Sequence, residues 1–242
     1  MAPVQLEVCV DTIEGAWIAA ENGADRIELC AALSEGGLTP SSGMMSAASR
    51  LPVPVYAMIR PRSGDFRYSD AEKTLMLRDI QVAEQNGMKG LVIGSVTDQD
   101  RLDIDFLKPA LQGTPLNATL HRAFDTLSDV RTAIDDAVSI GFERILTSGH
   151  EDKADEGCNV IREAVRYSGG RIALMAGSGV THANAVHIWK ETGVDALHAS
   201  CSARQRPLPA SKEVQLGFLP ATGQKTTDAE LVRALRTAID AC

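Results

Sequence analysis

Two short stretches of the chain repeat one arrangement. Glu7 with Cys9, and Glu28 with Cys30, each set a carboxylate and a thiol two residues apart among apolar neighbours. A glutamate flanked by apolar residues is costly to bury unless it is paired or hydrogen-bonded, so two such stretches argue for a built site. Further candidates follow: Arg60 in Met58-Ile59-Arg60-Pro61-Arg62, His121 in Leu120-His121-Arg122-Ala123-Phe124-Asp125, the Thr147-Ser148-Gly149 turn, and His198 with Ser200. A carboxylate beside an imidazole or a guanidinium can move a proton or hold an anionic ligand. Glu7, Glu28, Arg60, His121 and His198 are therefore the candidates for acid–base work. The plainer alternative is a structural ion-pair network, such as Glu28 with Arg60. The stretch Gly177-Ser178-Gly179-Val180-Thr181 has two glycines that let backbone N–H groups approach an anion ahead of a helix start. Gly177, Ser178 and Gly179, with Thr147 and Ser148, form the candidate anion cradle, with a simple tight turn as the alternative.

These residues need a frame that brings them to one place. Four segments share one grammar, a helical stretch, a glycine, two or three residues and then an apolar run, at Gly23, Gly87, Gly141 and Gly193. Glycine there can take the left-handed conformation that ends a helix before a strand. By subtraction of their positions the glycines lie 64, 54 and 52 residues apart. With roughly 25–30 residues per strand–helix unit, each interval holds two units and the chain holds eight. The expected fold is a single, compact α/β domain over residues 1–242, a TIM-type (β/α)8 barrel with an extended loop before the last helix. The expected strands are 6–10, 26–30, 53–60, 90–95, 116–121, 144–148, 172–176 and 196–200. Helical patterns cover 70–86 and 127–140, the second with Ser128 as its candidate N-cap. Two loops exceed what a minimal barrel needs, 31–43 and 201–227; the second holds Pro207, Pro209 and Pro220 and reads as a flap, an oligomer contact or a variable surface loop. A doubly wound open sheet fits less well, because the first strand lacks a Gly-x-Gly-x-x-Gly turn.

In a barrel the carboxyl ends of the strands build the active site, which is where the candidates fall. Cys9 and Cys30 then sit on neighbouring strands at similar height, and Cys201 follows the last strand, which closes onto the first. Thiolates with imidazole favour a soft ion such as Cu(I). The plain reading of each cysteine is a small buried hydrophobe.

Other chemistries are excluded. The 242 residues carry a net charge of −8 and no basic run, which argues against a nucleic-acid partner. No apolar run reaches the roughly 18 residues of a membrane span, and no secretory signal is visible at the N-terminus. Five cysteines, odd in number and without disulfide-scaffold spacing, suit a reducing cytoplasm. No lysine falls at a predicted strand's carboxyl end, which argues against Schiff-base chemistry. His182 and His187 read as ordinary helix residues, five apart and diverging by roughly 140°.

The same segments resemble the CutC family of copper homeostasis proteins. The resemblance rests on Leu6-Glu7-Val8-Cys9-Val10-Asp11, on Gly23-Ala24-Asp25-Arg26-Ile27-Glu28-Leu29-Cys30 and on Gly36-Gly37-Leu38-Thr39-Pro40-Ser41. It continues through Met58 to Phe66, His121-Arg122-Ala123-Phe124-Asp125, Arg144 to Gly149 and His198-Ala199-Ser200, covering roughly residues 4–200. It implies a cytosolic TIM-type barrel, often a homodimer, that handles copper and binds Cu(I), with Cys9 and Cys30 as the metal ligands to suspect. Two positions depart from the family pattern: Ser178 stands between two glycines where three glycines are common, and Leu120 stands where an aromatic residue is common. The motifs themselves are rich in Glu, Arg, His and glycine turns, which suit a small phosphorylated or carboxylated ligand. Acid–base enzyme chemistry on such a metabolite is therefore the competing expectation.

Overall fold

Eight parallel strands close into a barrel in the computed structural model, which describes residues 4–205 and 211–242. They are β1 (Gln5–Val10), β2 (Arg26–Leu29), β3 (Val55–Ile59), β4 (Gly90–Ile93), β5 (Asn117–Leu120), β6 (Arg144–Thr147), β7 (Ala173–Ala176) and β8 (Ala196–Ala199). Neighbours in sequence are neighbours in the sheet, and β8 pairs with β1 to close it. The crossovers carry α1 (Ile13–Glu21), α2 (Ser42–Ala48), α3 (Asp70–Gln85), α4 (Ile104–Gln112), α5 (Val130–Ile140), α6 (Cys158–Ser168) and α7 (Ala185–Thr192). Gly23, Gly87, Gly141 and Gly193 all have positive φ, as the helix-to-strand turns require. The TIM-type barrel expected from their spacing is the observed fold.

Two local readings change. The N-cap of α5 is Asp129, whose side chain accepts the Thr132 N–H, because the chain is still extended at Asp129 and turns helical only at Val130. The segment 201–227 contains a two-stranded antiparallel ribbon, β9 (Ser202–Gln205) with β10 (Gln224–Thr227), and a helical turn, α8 (Lys212–Gln215), before α9 (Ala229–Asp240). Neither ribbon strand has apolar alternation, so no pattern in the sequence announces it. Pro207 and Pro209 lie outside the described residues.

Strand alternation sorts the side chains into two sets. Leu6, Val8, Ile27, Leu29, Ala57, Ile59, Leu91 and Ile93 face outward into the shell of helices and form the main core. The inward set is mostly polar. The register runs Glu7 beside Arg26 and His198, Cys9 beside Glu28, and Glu28 beside Tyr56, so these side chains stack in layers inside the barrel. Glycines make room for the bulky members. A Cβ at Gly90 would lie 2.2 Å from the Tyr56 ring, and one at Gly94 would lie 2.7 Å from the His121 ring.

Candidate functional site

Below the barrel mouth the layers are charged, and Glu7 is paired through both of its oxygens. Glu7 is buried, with its Oε2 2.5 Å from Arg26 Nε and its Oε1 2.8 Å from His198 Nδ1. Arg26 also reaches Glu143 at 3.1 Å and stacks on Tyr56, 4.3 Å from the ring centre. Burial alone would raise the Glu7 pKa, but Arg26, then His198, outweigh it and bring the carboxyl down to about 2. The carboxylate is therefore ionised, so His198 donates from Nδ1 and turns Nε2 upward. The ion pair named as the plainer alternative, Glu28 with Arg60, does not form. Arg60 spends its guanidinium on backbone carbonyls instead, with Nη1 on Glu35 and Gly37 and Nη2 on Gly64. It ties the loops after β2 and β3 together.

Above this layer the barrel opens into a cavity of about 520 Å3. Cys9, Glu28 and His198 meet at its floor, with one donor atom of each within 4.8 Å of the others. Burial raises the Glu28 pKa, which His198 only partly offsets. Burial disfavours charge on His198, but Cys9, Glu28 and Glu7 together lift its pKa well above the usual histidine value. Arg60 and His121 line the same cavity, so Glu28, Arg60, His121 and His198 do converge, while Glu7 lies beneath them.

The two suspected metal ligands part company. Cys9 faces the cavity, whereas Cys30 is fully buried against Tyr56, Met58 and Val92, its thiol donating to Glu28 at 3.5 Å. Burial, then Glu28, push its pKa far above the ordinary thiol value. Cys201 lines the cavity, and burial followed by Cys9 raises its thiol to about 12.

The candidate anion cradle also divides. Ser178 and Gly179 line the cavity. Gly177 sits below them, where a Cβ would come within 2.5 Å of Leu146 and 3.2 Å of His198, so its role is to let the floor close. Thr147 and Ser148 have their donors already committed. The Asp125 carboxylate accepts from the Thr147 hydroxyl, from the Ser148 N–H at 3.0 Å, from its hydroxyl at 3.0 Å and from the His150 N–H at 3.3 Å. An internal anion occupies the place that an external one would take.

Sequence reasoning missed several residues. Arg26, Tyr56 and Arg144 point inward on alternation alone, and reading each strand's parity to its first residue would have found them. Lys225 reaches the cavity from β10, which no periodicity marked. His182 lines the cavity too, because α7 starts later, at Ala185. Among the described residues, five non-glycine residues with positive φ, Ala32, Asp100, His150, Ser178 and Cys201, follow β2, β4, β6, β7 and β8. Such backbone costs about 1–3 kcal/mol per residue and gathers where loops shape a site.

His121 yields a test of the geometry. Burial, then Arg60, lower its pKa to about 3. The unfolded chain takes up this proton below the ordinary histidine value of 6.5 and the folded chain does not, so stability falls as pH drops from there toward about 3. At about pH 5 the loss should be roughly 2 kcal/mol, and His121→Gln should flatten that slope in urea denaturation series. An unchanged slope would show that His121 is protonated in the fold.

The family model for the CutC family matches residues 4–203. A CutC family protein from Sinorhizobium medicae is 45% identical over 242 residues, covering 100% of this chain and 98% of that protein. One from Pasteurella multocida is 40% identical, covering 98% and 99%. A crystal structure of CutC from Streptococcus agalactiae, named for copper homeostasis, superposes with TM-score 0.77 at 35% identity over 81% of this chain and 98% of that one. A phosphoribosylanthranilate isomerase from Thermotoga maritima superposes with TM-score 0.60 at 15% identity, a likeness of fold alone. The family match over residues 4–203, together with relatives 40–45% identical over nearly the whole chain, makes this chain a member of the CutC family.

Proposed function

We propose that this chain binds a soft metal ion, Cu(I), at the floor of the barrel, through the Cys9 thiolate and His198 Nε2 with Glu28 as a third donor. The observation that supports this reading is the meeting of those three donor atoms within 4.8 Å of one another at the base of an open cavity. The donor chemistry fits. One thiolate and one imidazole are enough for a low-coordinate soft ion, and Glu28 Oε2 is buried without a partner. Glu7 supplies the outer carboxylate that metal-binding histidines usually have, holding Nδ1 as a donor, and a bound ion would take the place of the proton on Nε2. Cys30 plays no direct part in this reading; it fills the layer behind Glu28. The thiol of Cys201 stands beside the site as a reserve donor. Copper handling for the cell is the role this would serve, in agreement with the name of the Streptococcus agalactiae relative.

A cytosolic setting and a homodimer belong to the same reading. All five cysteines are free, which suits reducing surroundings, and no described helix is long and apolar enough to cross a membrane. Leu216 and Phe218, 68% and 79% exposed, offer apolar surface for a second copy.

Anaerobic competition with a chromophoric Cu(I) chelator tests the site. Cys9→Ser should weaken Cu(I) binding by roughly 100-fold and His198→Gln by roughly 10–100-fold, while Cys30→Ser should leave it within about 3-fold. Loss of binding in Cys30→Ser with Cys9→Ser unaffected would overturn the ligand set. Tight Zn(II) binding without Cu(I) binding would overturn the choice of ion.

A further inference from the structure

The cavity has a second feature, of which the metal cluster would take up only Glu28. Among the described residues, three of the buried polar atoms without a hydrogen-bond partner belong to side chains that line it: Glu28 Oε2, Arg60 Nε and His121 Nε2. Buried polar groups are nearly always satisfied, so orphans on one cavity need an explanation. Two of the three are donors. Arg60 is 5% exposed, and its Nη atoms are fixed by the carbonyls of Glu35, Gly37 and Gly64, which leaves Nε–H over. His121 is 3% exposed, and its Nδ1 accepts the Ala123 N–H at 3.1 Å, so the ring proton of the neutral imidazole must be on Nε2. Both groups pack on Phe66, with Arg60 5.2 Å and His121 4.8 Å from its ring centre, so they share one wall.

Charge points the same way. The chain as a whole carries −8, yet Arg60, Arg122 and Lys225 line this cavity against the single carboxylate of Glu28. A cationic cavity in an acidic protein focuses an anion. At about 520 Å3 it is also far larger than a bare ion needs, and Leu33, Met58, Phe66 and Leu146 give it an apolar surface for a carbon skeleton.

We propose that the cavity is a binding site for a small organic acid, whose carboxylate accepts hydrogen bonds from Arg60 Nε–H and His121 Nε2–H on the Phe66 wall. Two planar donors on one side suit a carboxylate, which is itself planar; a phosphate would call for donors from several directions. The donors are pre-oriented by contacts to backbone, so they need no rearrangement to receive it. Lys225, which also lines the cavity, stands ready for a second acidic group on the same molecule, which favours a dicarboxylate. This site stands on atoms other than the thiol and imidazole that would hold copper, so either proposal can fail without the other.

The experiment is calorimetric titration of the metal-free full chain with succinate, with inorganic phosphate and glycerol as comparisons. Succinate should bind, phosphate should bind at least roughly 10-fold more weakly, and glycerol should not bind. His121→Phe keeps the ring but removes the donor and should weaken succinate by roughly 10-fold or more, while His121→Gln, which returns an N–H, should recover part of the loss. A wild-type measurement guards against a misfolded variant: with 15N-labelled imidazoles, succinate should shift the His121 Nε2–H resonance. No succinate binding, tighter binding of phosphate, or a His121 resonance that does not move at saturation would each overturn the proposal.

Discussion

Replacing Glu7 with glutamine should cost the fold about 3–5 kcal/mol, although the two side chains have nearly the same volume. The reason is what remains. Arg26 would keep only Glu143 at 3.1 Å, and Arg144, its neighbour inside the barrel, has Nε and Nη1 without partners already. Two guanidinium groups would then share one partly exposed carboxylate in a closed interior. Removing one partner of a buried pair is far more damaging than replacing both, because it leaves a charge that nothing compensates. The double variant Glu7→Gln with Arg26→Gln should therefore be less destabilised than the single one. Urea denaturation of the three proteins measures this directly, and a single variant no worse than the double would refute the account. The pH dependence has a definite sign. The Glu7 pKa is about 2 in the fold against an ordinary 4.5, so its contribution is complete above 4.5 and is lost as pH falls through about 2. The acid unfolding of Glu7→Gln should lack that component.

That layer shows where the sequence was legible and where it stopped. Four helix-ending glycines were enough to count the strands, because a left-handed residue between helix and strand leaves few alternatives to Gly. Alternation then placed Glu7, Cys9, Glu28 and Cys30 on the inner face. Partners were another matter. Whether Glu28 meets Arg60 or His198 depends on the stagger between strands and on where Arg60 finds carbonyls in the loops after β2 and β3. Neither is written in spacing. Cys9 and Cys30 looked equivalent for the same reason. Parity puts both inside, but only Cys9 reaches the cavity, while Gly37 in the folded-back loop approaches the Cys30 sulfur so closely that a Cβ there would stand 3.0 Å from it. The ribbon that brings Lys225 to the cavity was illegible because its strands are short and polar and take their register from each other.

Asp125 is the residue whose removal should most disturb the mouth without touching the cavity floor. Its side chain is 8% exposed, and it gathers the Thr147 hydroxyl, the Ser148 N–H and hydroxyl, the His150 N–H and the Arg122 guanidinium at 2.8 Å. Beneath this lies a backbone crossing with no slack, where a Cβ at Gly157 would lie 1.9 Å from the Ser148 carbonyl oxygen. The loop after β6 is thus pressed against the start of α6 and held there by one carboxylate. Hydrogen bonds to a charged group contribute about 1.5–3 kcal/mol each, and water would recover part of that, so Asp125→Ala should lose about 3–5 kcal/mol. The same geometry predicts a repair. The vacated space is shaped and charged for a carboxylate, so formate should raise the melting temperature of Asp125→Ala well beyond any shift it gives the wild type, while chloride at equal ionic strength should not. Asp125→Asn should fall between, since one amide oxygen can still accept but the amide nitrogen faces donors. If formate stabilises both proteins equally, the Thr147 and Ser148 donors do not form an anion cradle, and Asp125 is held there by something other than the bonds it accepts.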